Sequence, residues 1–544
     1  MRNFLILFLS VLSMTITAQT TISIIGTATQ HNDWNTDVTM TETFASSGIW
    51  TATIPLYAGT TFGSPNAVKF RQSNTWAVNW GDNDNAYPMG TGAQDEANIE
   101  VPITGYYVVT INTSTGAYSF APATDILYVD VDASSSLGYN DGHNWAHAFV
   151  SLQSALALAH QFTSIDEVWV AEGTYKPSAY PHGCSGCASA RDYTFHLRDG
   201  LKIYGGFAGT ETSIGARNIA AHPTTLSGDF DDNDVVIGSG ATLSIAGNGE
   251  NAHHVVLAVA PSSGGIGVTV DGFSVTGGNA YGSSSIQING IGIFRNDGGG
   301  INISYGSNTL SNNNINGNHA GAGGGIFTSE GTNTLSNNTI YENYTSFGGG
   351  IRTSFGTNTL TNNSIFGNHS YRGGGIYTWL GTNTLTNNTI YGNYAEFGGG
   401  GIWTHSGTNS LKNNIFWSNQ KTGSNTDTGA DYENDPTAPP LSTNTFTNNM
   451  LQLANNTTNY PTTGGTTYTN NIYATDPLFV NPADPDGPDN LHPTTDDGLS
   501  VTLCSPAINA GTPTGAPTED ITGATRLSNP DIGAYENNPS VVSI

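Results

Sequence analysis

A short text repeats along the middle of this chain every 25 residues, and that period restricts the fold more than any other feature. Gly-Gly-Gly-Ile begins at Gly298, Gly323, Gly348 and Gly373, and a fifth copy begins one residue late at Gly399. Each copy is followed by Asn-Thr-Leu or Asn-Ser-Leu, then by Asn-Asn-x-Ile, and then by a single Asn. Self-similarity at roughly 20–50 residues indicates a solenoid, in which each repeat packs on its neighbours.

The apolar positions inside one repeat lie in short runs and show no helical period. Ile376, Leu385 and Ile390 each lie among Thr, Tyr or Trp residues, which favour strands. Three short strands and three turns per repeat predict an all-β fold, a right-handed parallel β-helix with coils of 25 residues that stack about 4.8 Å apart. Isoleucine and leucine would fill its core.

Asparagines recur at two bends of the predicted coil, and we expect their amides to bond from coil to coil. The first predicted ladder consists of Asn337, Asn362, Asn387 and Asn413, and the second of Asn343, Asn368, Asn393 and Asn419.

The N-terminus has the pattern of a secretory signal peptide over residues 1–18. Arg2 provides a positive start, residues 4–12 are apolar, and Ala18-Gln19 is a plausible cleavage point. No later segment approaches the roughly 18 apolar residues of a membrane span. We therefore expect an exported protein, secreted or on the bacterial cell surface, without a membrane span.

Acidic residues dominate the charge of the chain. With 14 Lys and Arg against 42 Asp and Glu, the net charge is 14 − 42 = −28. Because nucleic acids and anionic lipids favour cationic surfaces, this charge disfavours both as partners. It is typical of an extracellular protein that is well solvated or binds calcium.

Two of the three cysteines form the motif Cys184-Ser-Gly-Cys187, and the third is Cys504. The motif could be a redox pair or half of a zinc site, but a zinc site needs two more ligands and only His182 is adjacent. In an exported chain we expect a disulfide between Cys184 and Cys187 that closes a loop.

Residues 20–122 follow a different pattern from the repeats. Runs such as Trp50–Ile54 and Tyr106–Ile111, separated by Gly and Asn turns, predict antiparallel strands in a small β-sandwich. The text Val68-Lys-Phe-Arg, Trp76-Ala-Val-Asn-Trp-Gly and Thr115-Gly-Ala-Tyr-Ser-Phe resembles the repeated β-sandwich of the SusE/SusF starch-binding outer-membrane proteins. The resemblance implies an exposed glycan-binding or spacer module.

Three tryptophans of this module are candidate sugar-stacking platforms. Trp34, Trp76 and Trp80 have aromatic faces that can pack on pyranose rings. The alternative is that each of them belongs to the core of the sandwich.

The rest of the chain divides into a cap, the coils and a terminal region. Residues 126–180 contain one helical pattern, Ser151–His160, which we expect to cover the open N-terminal end of the β-helix. We assign residues 181–425 to β-helix coils. Residues 426–544 would form degraded coils and a C-terminal cap.

Further motifs resemble a group of bacterial secreted β-helix proteins often called choice-of-anchor proteins. They include Val168-Trp-Val-Ala-Glu-Gly-Thr-Tyr, Cys504-Ser-Pro-Ala-Ile-Asn-Ala-Gly and Asp531-Ile-Gly-Ala-Tyr-Glu. The alternation of Gly-Gly-x-Ile with Ile-x-x-Asn is also similar to the repeats of polymorphic outer-membrane adhesins. Both resemblances imply secretion or surface display, and neither implies a reaction.

Strand alternation predicts which side chains point out of the coils. The residue after each glycine-run isoleucine, and the residue two positions later, should face outward. These positions carry a group that we call the aromatic ridge: Phe327, Arg352, Tyr377, Trp379, Trp403 and His405. An exposed aromatic patch suggests stacking onto a ligand, whereas the alternative is that the rings pack against loops.

The predicted partner is therefore an extracellular polysaccharide or cell-surface glycan, bound without catalysis. The alternative is a polysaccharide lyase or glycoside hydrolase that acts on the same ridge, which would need clustered carboxylates or a carboxyl pair. The acids in the regular coils are Glu330, Glu342 and Glu396, and no pair shares a face in adjacent coils. Arg352 is the one candidate base.

Two acidic clusters have the alternation of oxygen ligands that calcium requires. The text Asp484-Pro-Asp486-Gly-Pro-Asp489 resembles extracellular Asp-x-Asp-Gly calcium loops, and Asp229–Asp234 is a second candidate. A bound calcium ion would be structural. The alternative is a solvated acidic loop.

The predicted second strand of each coil carries a Thr-x-Thr pattern. Its members are Thr332 and Thr334, Thr357 and Thr359, Thr382 and Thr384, and Thr408 and Ser410. Flat threonine ranks of this kind resemble those of ice-binding solenoids, although Thr is also a common exposed strand residue. Ice binding is therefore a third hypothesis.

Overall fold

The computed structural model describes residues 20–134, 140–422, 426, 429–435, 441–456 and 458–537. The signal peptide predicted over residues 1–18 lies outside this part of the chain. The chain divides between Ala123 and Thr124 into two compact units. In the described residues, no helix has the length and apolar character needed to cross a membrane.

The first unit is an antiparallel β-sandwich, as predicted. One sheet contains Ile22–Gly26, Asp33–Thr39, Ala67–Gln72, Asn79–Trp80 and Ile99–Glu100. The other contains Thr41–Glu42, Ile49–Leu56, Met89–Thr91, Gly105–Asn112 and Ala117–Pro122, and Thr60–Thr61 pairs with Ser64–Pro65. Phe70 lies between the sheets, with its ring centre 6.1 Å from that of Tyr118 and 6.4 Å from that of Phe120.

The second unit is a parallel β-helix, which confirms the predicted fold class. A regular coil runs through Ile326–Ser329, Thr332–Ser336, Thr339–Tyr341 and Tyr344–Phe347. A regular coil therefore has four strands, whereas the sequence predicted three. The fourth strand was missed because its inward side chains are small, for example Thr345 and its successors Ser370 and Ala395, and they give no hydrophobic signal.

Stacking of the coils builds four parallel sheets, numbered here in the order in which a coil visits them. Sheet I contains Phe195–Leu197, Val256–Val259, Ile301–Ser304, Ile326–Ser329, Ile351–Ser354, Ile376–Trp379, Ile402–His405 and Tyr432–Asn434. Sheet II contains Ile126–Val129, Glu167–Ala171, Lys202–Phe207, Thr269–Asp271, Ser307–Ser311, Thr332–Ser336, Thr357–Thr361, Thr382–Thr386, Thr408–Lys412, Thr443–Thr447 and Thr467–Thr469. Sheet III contains Gly173–Tyr175, Thr224–Ser227, Phe273–Thr276, Asn314–Asn316, Thr339–Tyr341, Ser364–Phe366, Thr389–Tyr391, Ile415–Trp417, Met450–Leu451 and Ile472–Tyr473. Sheet IV contains Asn279–Ala280, His319–Ala322, Tyr344–Phe347, His369–Arg372, Tyr394–Gly398 and Gln420–Lys421.

The interior of the coils is filled by isoleucine, leucine and asparagine. Ile326, Leu335 and Ile340 are fully buried, and their equivalents stack above and below them in register. The predicted ladder through Asn343 and Asn368 is present, with the Nδ2 of Asn343 donating to the Oδ1 of Asn368 at 3.0 Å. It continues through Asn393 and Asn419 at 2.9 and 3.1 Å.

The other predicted ladder, through Asn337, Asn362, Asn387 and Asn413, is present only in part. These four asparagines have positive φ near 54° and sit at the bend itself. Asn362 Nδ2 donates to Asn337 Oδ1 and Asn413 Nδ2 donates to Asn387 Oδ1, each at 3.2 Å. Asn387 Nδ2 donates instead to the backbone oxygens of Asp531 and Gly533, which interrupts the ladder between Asn362 and Asn387. The continuous buried ladder lies one residue later, and a further ladder passes through the Asn-Thr-Leu asparagines. The buried ladder consists of Asn313, Asn338, Asn363, Asn388, Asn414, Asn449 and Asn471. The further ladder consists of Asn308, Asn333, Asn358, Asn383, Asn409 and Asn444.

One α-helix, Leu152–Gln161, agrees with the predicted helix to one residue and packs against the first strands of sheets I and II. Two short antiparallel elements project from the coils. One pairs Cys184–Ser185 with the hairpin Ser285–Ile288 and Ile291–Phe294, and the other is the hairpin Val235–Ile237 and Ser244–Ala246. Short 3-10 segments occupy Trp145–His147, Ala190–Asp192, Ile214–Ala216, Gly240–Thr242 and Thr463–Gly465.

The last residues that the structure describes, 477–537, lie along the side of the β-helix. Residues 426–544 were predicted to form degraded coils and a terminal cap, and strands from Thr443 to Tyr473 do continue sheets II and III. Residues 477–537, called here the C-terminal segment, instead cover the outward face of sheet III. Aromatic side chains on that face explain this position, because Tyr341, Phe366 and Tyr391 pack against the segment.

Candidate functional site

The candidate site is built at the bend where sheet IV passes into sheet I. The first glycine of each run has positive φ, for example 64° at Gly323 and 74° at Gly348. A Cβ on Gly323 would lie 2.9 Å from the Cβ of Phe327, so a larger residue does not fit. The tight bend brings the side chains that precede the glycine run close to those that follow the isoleucine.

This proximity overturns the prediction that the aromatic ridge is exposed. Phe327 and Tyr377 keep 7% and 6% of their surface exposed, and Trp403 keeps 0%. Their side chains leave the coil but meet sheet IV: the ring centre of Tyr377 lies 5.7 Å from that of Phe347, and that of Trp403 lies 5.9 Å from that of Phe397. Trp379 and His405, two positions later, are half-buried.

Arg352 lies at the centre of the ridge. The guanidinium carbon is 4.9 Å from the ring centre of Trp379, and it also lies near three further rings. These are Phe327 at 5.6 Å, Phe347 at 5.8 Å and Tyr377 at 5.4 Å. Among the described residues the guanidinium has no hydrogen bond or ion pair, and its Nε is buried without a partner. Burial lowers the pKa of Arg352, and the attraction of Asp297 opposes that shift.

A cavity of about 200 Å³ opens onto Arg352, and we call it the ridge cleft. Its other wall is the hairpin strand Ile291–Phe294. Its lining consists of Gly292, Ile293, Phe294, Asp297, Asn302, Ser304, Phe327, Ser329, Arg352, Ser354, Phe355 and Trp379. The hairpin is tied down by Cys184–Ser185, and the Cys184–Cys187 disulfide closes the loop that follows.

Asp297 is the acid of the ridge cleft, and the sequence analysis missed it. Burial raises the pKa of its carboxyl to about 6, against the opposing effect of Arg352. Asp297 stands immediately before the glycine run that begins at Gly298, and the residue at the same position of the next coil is Ala322. This position before the run is the sequence feature that could have identified Asp297. Asn302 Oδ1 and Ser354 Oγ, from the same lining, are buried without hydrogen-bond partners.

The acids weighed from the sequence do not line this cleft. Glu342 lines another cavity, of about 260 Å³, next to Asp486 and His492. Glu396 lies 3.5 Å from His369 on sheet IV, and Glu330 is exposed at a bend with φ of 60°. The ridge cleft therefore holds one carboxyl group and one guanidinium, and not a pair of carboxyls.

In the first unit, the three candidate tryptophans lie outside the fully buried core, which contains Trp50 instead. Trp76 is 44% exposed, and its ring centre lies 6.2 Å from that of Trp34. Arg71 covers the Trp76 ring at 4.7 Å. Trp80 is half-buried.

The two candidate calcium clusters differ in geometry. Asp489 accepts a hydrogen bond from the backbone of Leu491, and it does not converge with Asp484 and Asp486 on one point. In the described part of the chain, the acidic group whose oxygens lie within 4.8 Å of one another consists of Asp229, Asp234 and Glu250.

The threonine ranks lie on the outward face of sheet II in exact coil-to-coil register. The outer rank is exposed and consists of Thr332, Thr357, Thr382 and Thr408. The inner rank is half-buried and consists of Thr334, Thr359, Thr384 and Ser410.

Comparison with family models agrees with the architecture of the regular coils. The family model described as "Right handed beta helix region" matches residues 323–472. The crystal structure of pectate lyase Pel9A superimposes with a TM-score of 0.38 and 15% identity, over 76% of this chain and 96% of that chain. No curated protein matches the chain.

Proposed function

We propose that this protein is exported and binds an extracellular polysaccharide in the ridge cleft, with Arg352 as its polar anchor. The observation that carries the proposal is the Arg352 guanidinium, which lies among four aromatic rings and has no hydrogen-bond partner in the described structure. Leaving a buried donor unpaired costs about 1–3 kcal/mol. A ligand that supplies oxygen acceptors would recover that cost.

A polysaccharide offers the hydrogen-bond acceptors that the cleft itself does not supply to Arg352. Its hydroxyl or carboxylate oxygens can accept from the five N–H groups of an arginine, and its ring faces can pack on Trp379 and Phe355. The unpaired Asn302 Oδ1 and Ser354 Oγ can bond to sugar hydroxyls. The net charge of −28 disfavours nucleic acid as the alternative ligand.

The test is retention of the full chain on a panel of neutral and uronic-acid polysaccharides, together with measurement of new chain ends. We expect Arg352→Met to weaken retention by at least about tenfold and Arg352→Lys to fall between it and the wild type, because lysine keeps the charge but loses the planar fork. Lys202→Met, which removes an exposed charge from sheet II, is the matched control. Unchanged retention in Arg352→Met would reject the proposal.

A polysaccharide lyase or glycoside hydrolase acting at the same cleft is the alternative. The described lining has one carboxyl, Asp297, whose pKa is raised to about 6, and one arginine, so it offers neither the carboxyl pair of a hydrolase nor the clustered carboxylates of a lyase, which favours binding. If new chain ends appear in the wild type, we expect Asp297→Asn to abolish them and to keep retention. Retention without new chain ends supports a binding protein.

The threonine ranks support ice binding as a second candidate. Their register gives a repeated array of hydroxyl and methyl groups on sheet II. The test is inhibition of ice recrystallisation, which Thr357→Lys and Thr382→Lys in the exposed rank should abolish. Equal ice growth with and without the wild-type protein would exclude this candidate.

A further inference from the structure

A second cluster of polar groups lies away from the ridge cleft, where the chain leaves sheet III after Thr224–Ser227. The chain makes an excursion over residues 230–250, which includes the hairpin Val235–Ile237 and Ser244–Ala246, before it reaches Val256–Val259 of sheet I. Asp229 lies at the start of the excursion. Asp234 precedes the first strand of the hairpin, and Glu250 follows the second. Both ends of the excursion therefore contribute acids to one place.

The three carboxylates converge. One oxygen from each of Asp229, Asp234 and Glu250 lies within 4.8 Å of the others. Asp229 is held in position by the backbone, since its Oδ1 accepts from the N–H of Asp231 at 3.2 Å and its Oδ2 accepts from the N–H of Asp234 at 3.0 Å. Backbone hydrogen bonds thus hold the Asp229 carboxylate close to the other two despite their like charge.

Buried oxygen atoms without hydrogen-bond partners are a second, independent observation at the same place. Asn251 is 0% exposed, and its Nδ2 donates to Asp234 Oδ2 at 2.7 Å. Its Oδ1, on the same amide, has no hydrogen-bond partner, and neither does Asp234 Oδ1 or Glu250 Oε1. A half-turn of the Asn251 amide would place a fourth oxygen beside Asp234.

The nearby cations are engaged elsewhere. Lys176 Nζ pairs with Asp232 at 2.7 Å and donates to the backbone oxygen of Phe230. Arg191 lies near Glu250 but donates to the backbone oxygens of Asn251 and Asn279. None of the three converging carboxylates has an ion pair within the described chain.

We propose that Asp229, Asp234, Glu250 and the Asn251 amide oxygen bind one calcium ion that fixes the 230–250 excursion onto the β-helix. Calcium prefers oxygen ligands and accepts the mixture of carboxylates and an amide found here. The excursion then reaches across later coils, since Gly240 N–H donates to the Gly367 oxygen at 2.8 Å. The ion would therefore hold an element that bridges coils distant in sequence.

The test is calorimetric titration of calcium chloride into the full chain after treatment with a chelator. We expect one calcium ion per chain, and a loss of at least about 30-fold in affinity in Asp234→Asn and Glu250→Gln. Asp232→Asn is the matched control from the same loop, because its carboxylate is 78% exposed and pairs with Lys176. It should bind calcium within about twofold of the wild type.

Hydrogen–deuterium exchange of the wild type, with and without calcium, keeps the test decisive if a variant fails to fold. Protection of residues 230–251 by calcium supports the proposal. The absence of any binding at millimolar calcium would overturn it. So would binding that survives Asp234→Asn but disappears in Asp486→Asn, because the ion would then belong to the loop around Asp484.

Discussion

The guanidinium carbon of Arg352 lies 4.9 Å from the ring centre of Trp379, which belongs to the next strand of sheet I. Trp379 is half-buried and lines the ridge cleft, whereas Trp403, one coil further on, is 0% exposed. The two tryptophans occupy the same sheet and yet have different surroundings. A ligand in the cleft reaches the first and not the second.

Alanine substitutions at these two positions should therefore have different effects. Trp379→Ala removes a surface on which a sugar ring can stack, so we expect polysaccharide retention to fall roughly two- to tenfold. The loss of its cation–π contact with Arg352 should cost at most about 2 kcal/mol of unfolding free energy. Trp403→Ala empties a buried site and should cost about 3–5 kcal/mol of unfolding free energy. Retention assays and urea unfolding measure both. Weaker retention in a fully stable Trp403→Ala protein would contradict this assignment.

The asparagine ladders give a second prediction, from two adjacent residues. Asn338 Nδ2 donates to the Leu310 oxygen at 2.9 Å and to Asn363 Oδ1 at 3.0 Å, and its Oδ1 accepts from Asn313. Asn338→Ala leaves several buried groups unpaired, and we expect a loss of at least about 3 kcal/mol. Asn337→Ala is the matched control, since this residue makes amide contacts of 3.2 and 3.3 Å at the bend. It should lose about 1 kcal/mol, mostly from its positive φ.

Urea unfolding of the two variants decides between the ladders. Equal destabilisation by Asn337→Ala and Asn338→Ala would mean that the bend asparagines contribute as much as the buried ladder.

The repeat period determined the β-helix from sequence because every coil must place the same residue types in the same environments. The alternation of side chains along a strand also predicted correctly that the side chains of Phe327 and Tyr377 point out of the coil. Their burial was not predictable in the same way, since alternation is a property of one strand. The approach of sheet IV across the glycine bend is a property of two sheets.

Asp297 and the C-terminal segment show the same limit. Asp297 occupies the coil position that Phe347 and Arg372 occupy before the later glycine runs. No other acid stands at that position in those coils, so only the alignment of the coils shows that Asp297 faces the ridge cleft. From the sequence alone, the outward aromatic side chains Tyr341 and Phe366 of sheet III would be expected to form an exposed patch. They are covered by residues more than a hundred positions later, such as His492, and no local pattern records that contact.

The C-terminal segment contains a buried ion pair whose arginine also donates to Asn362 of the coils at 2.9 Å, and this pair gives a third prediction. Arg526 and Glu536 are joined at 2.9 Å, with side chains 2% and 0% exposed. Glu536→Gln removes the carboxylate that pairs with this buried arginine and leaves only the more distant attraction of Asp520 and Asp531. Removal of one partner of a buried pair costs up to about 3–5 kcal/mol. We expect amide exchange across residues 477–537 to accelerate by at least about 100-fold while the ladder amides keep their protection.

The double variant Arg526→Met with Glu536→Leu is the control for charge, because it removes both ions and should recover part of the loss. If amide exchange in Glu536→Gln accelerated equally in the C-terminal segment and in the coils, the segment would not open independently of the coils.

The last prediction concerns a carboxyl inside the β-helix. Asp431 Oδ2 accepts from the Gln452 backbone at 2.8 Å and from the Tyr460 hydroxyl at 2.9 Å, and burial raises the pKa of Asp431 from 3.8 to about 7. A carboxyl with a raised pKa binds its proton more tightly in the folded state. Its contribution to stability is therefore complete below pH 3.8 and is lost as the pH rises to about 7.

Asp431→Asn keeps an acceptor for Tyr460 and removes the titration. With 7 − 3.8 = 3.2 pH units, the wild type should lose about 4 kcal/mol relative to this variant between pH 4 and pH 8. Urea unfolding at both pH values measures the difference, and Asp232→Asn, an exposed carboxyl, is the control. A constant difference between wild type and Asp431→Asn across this range would show that Asp431 titrates as an ordinary carboxyl, because only a raised pKa makes the two proteins diverge above pH 4.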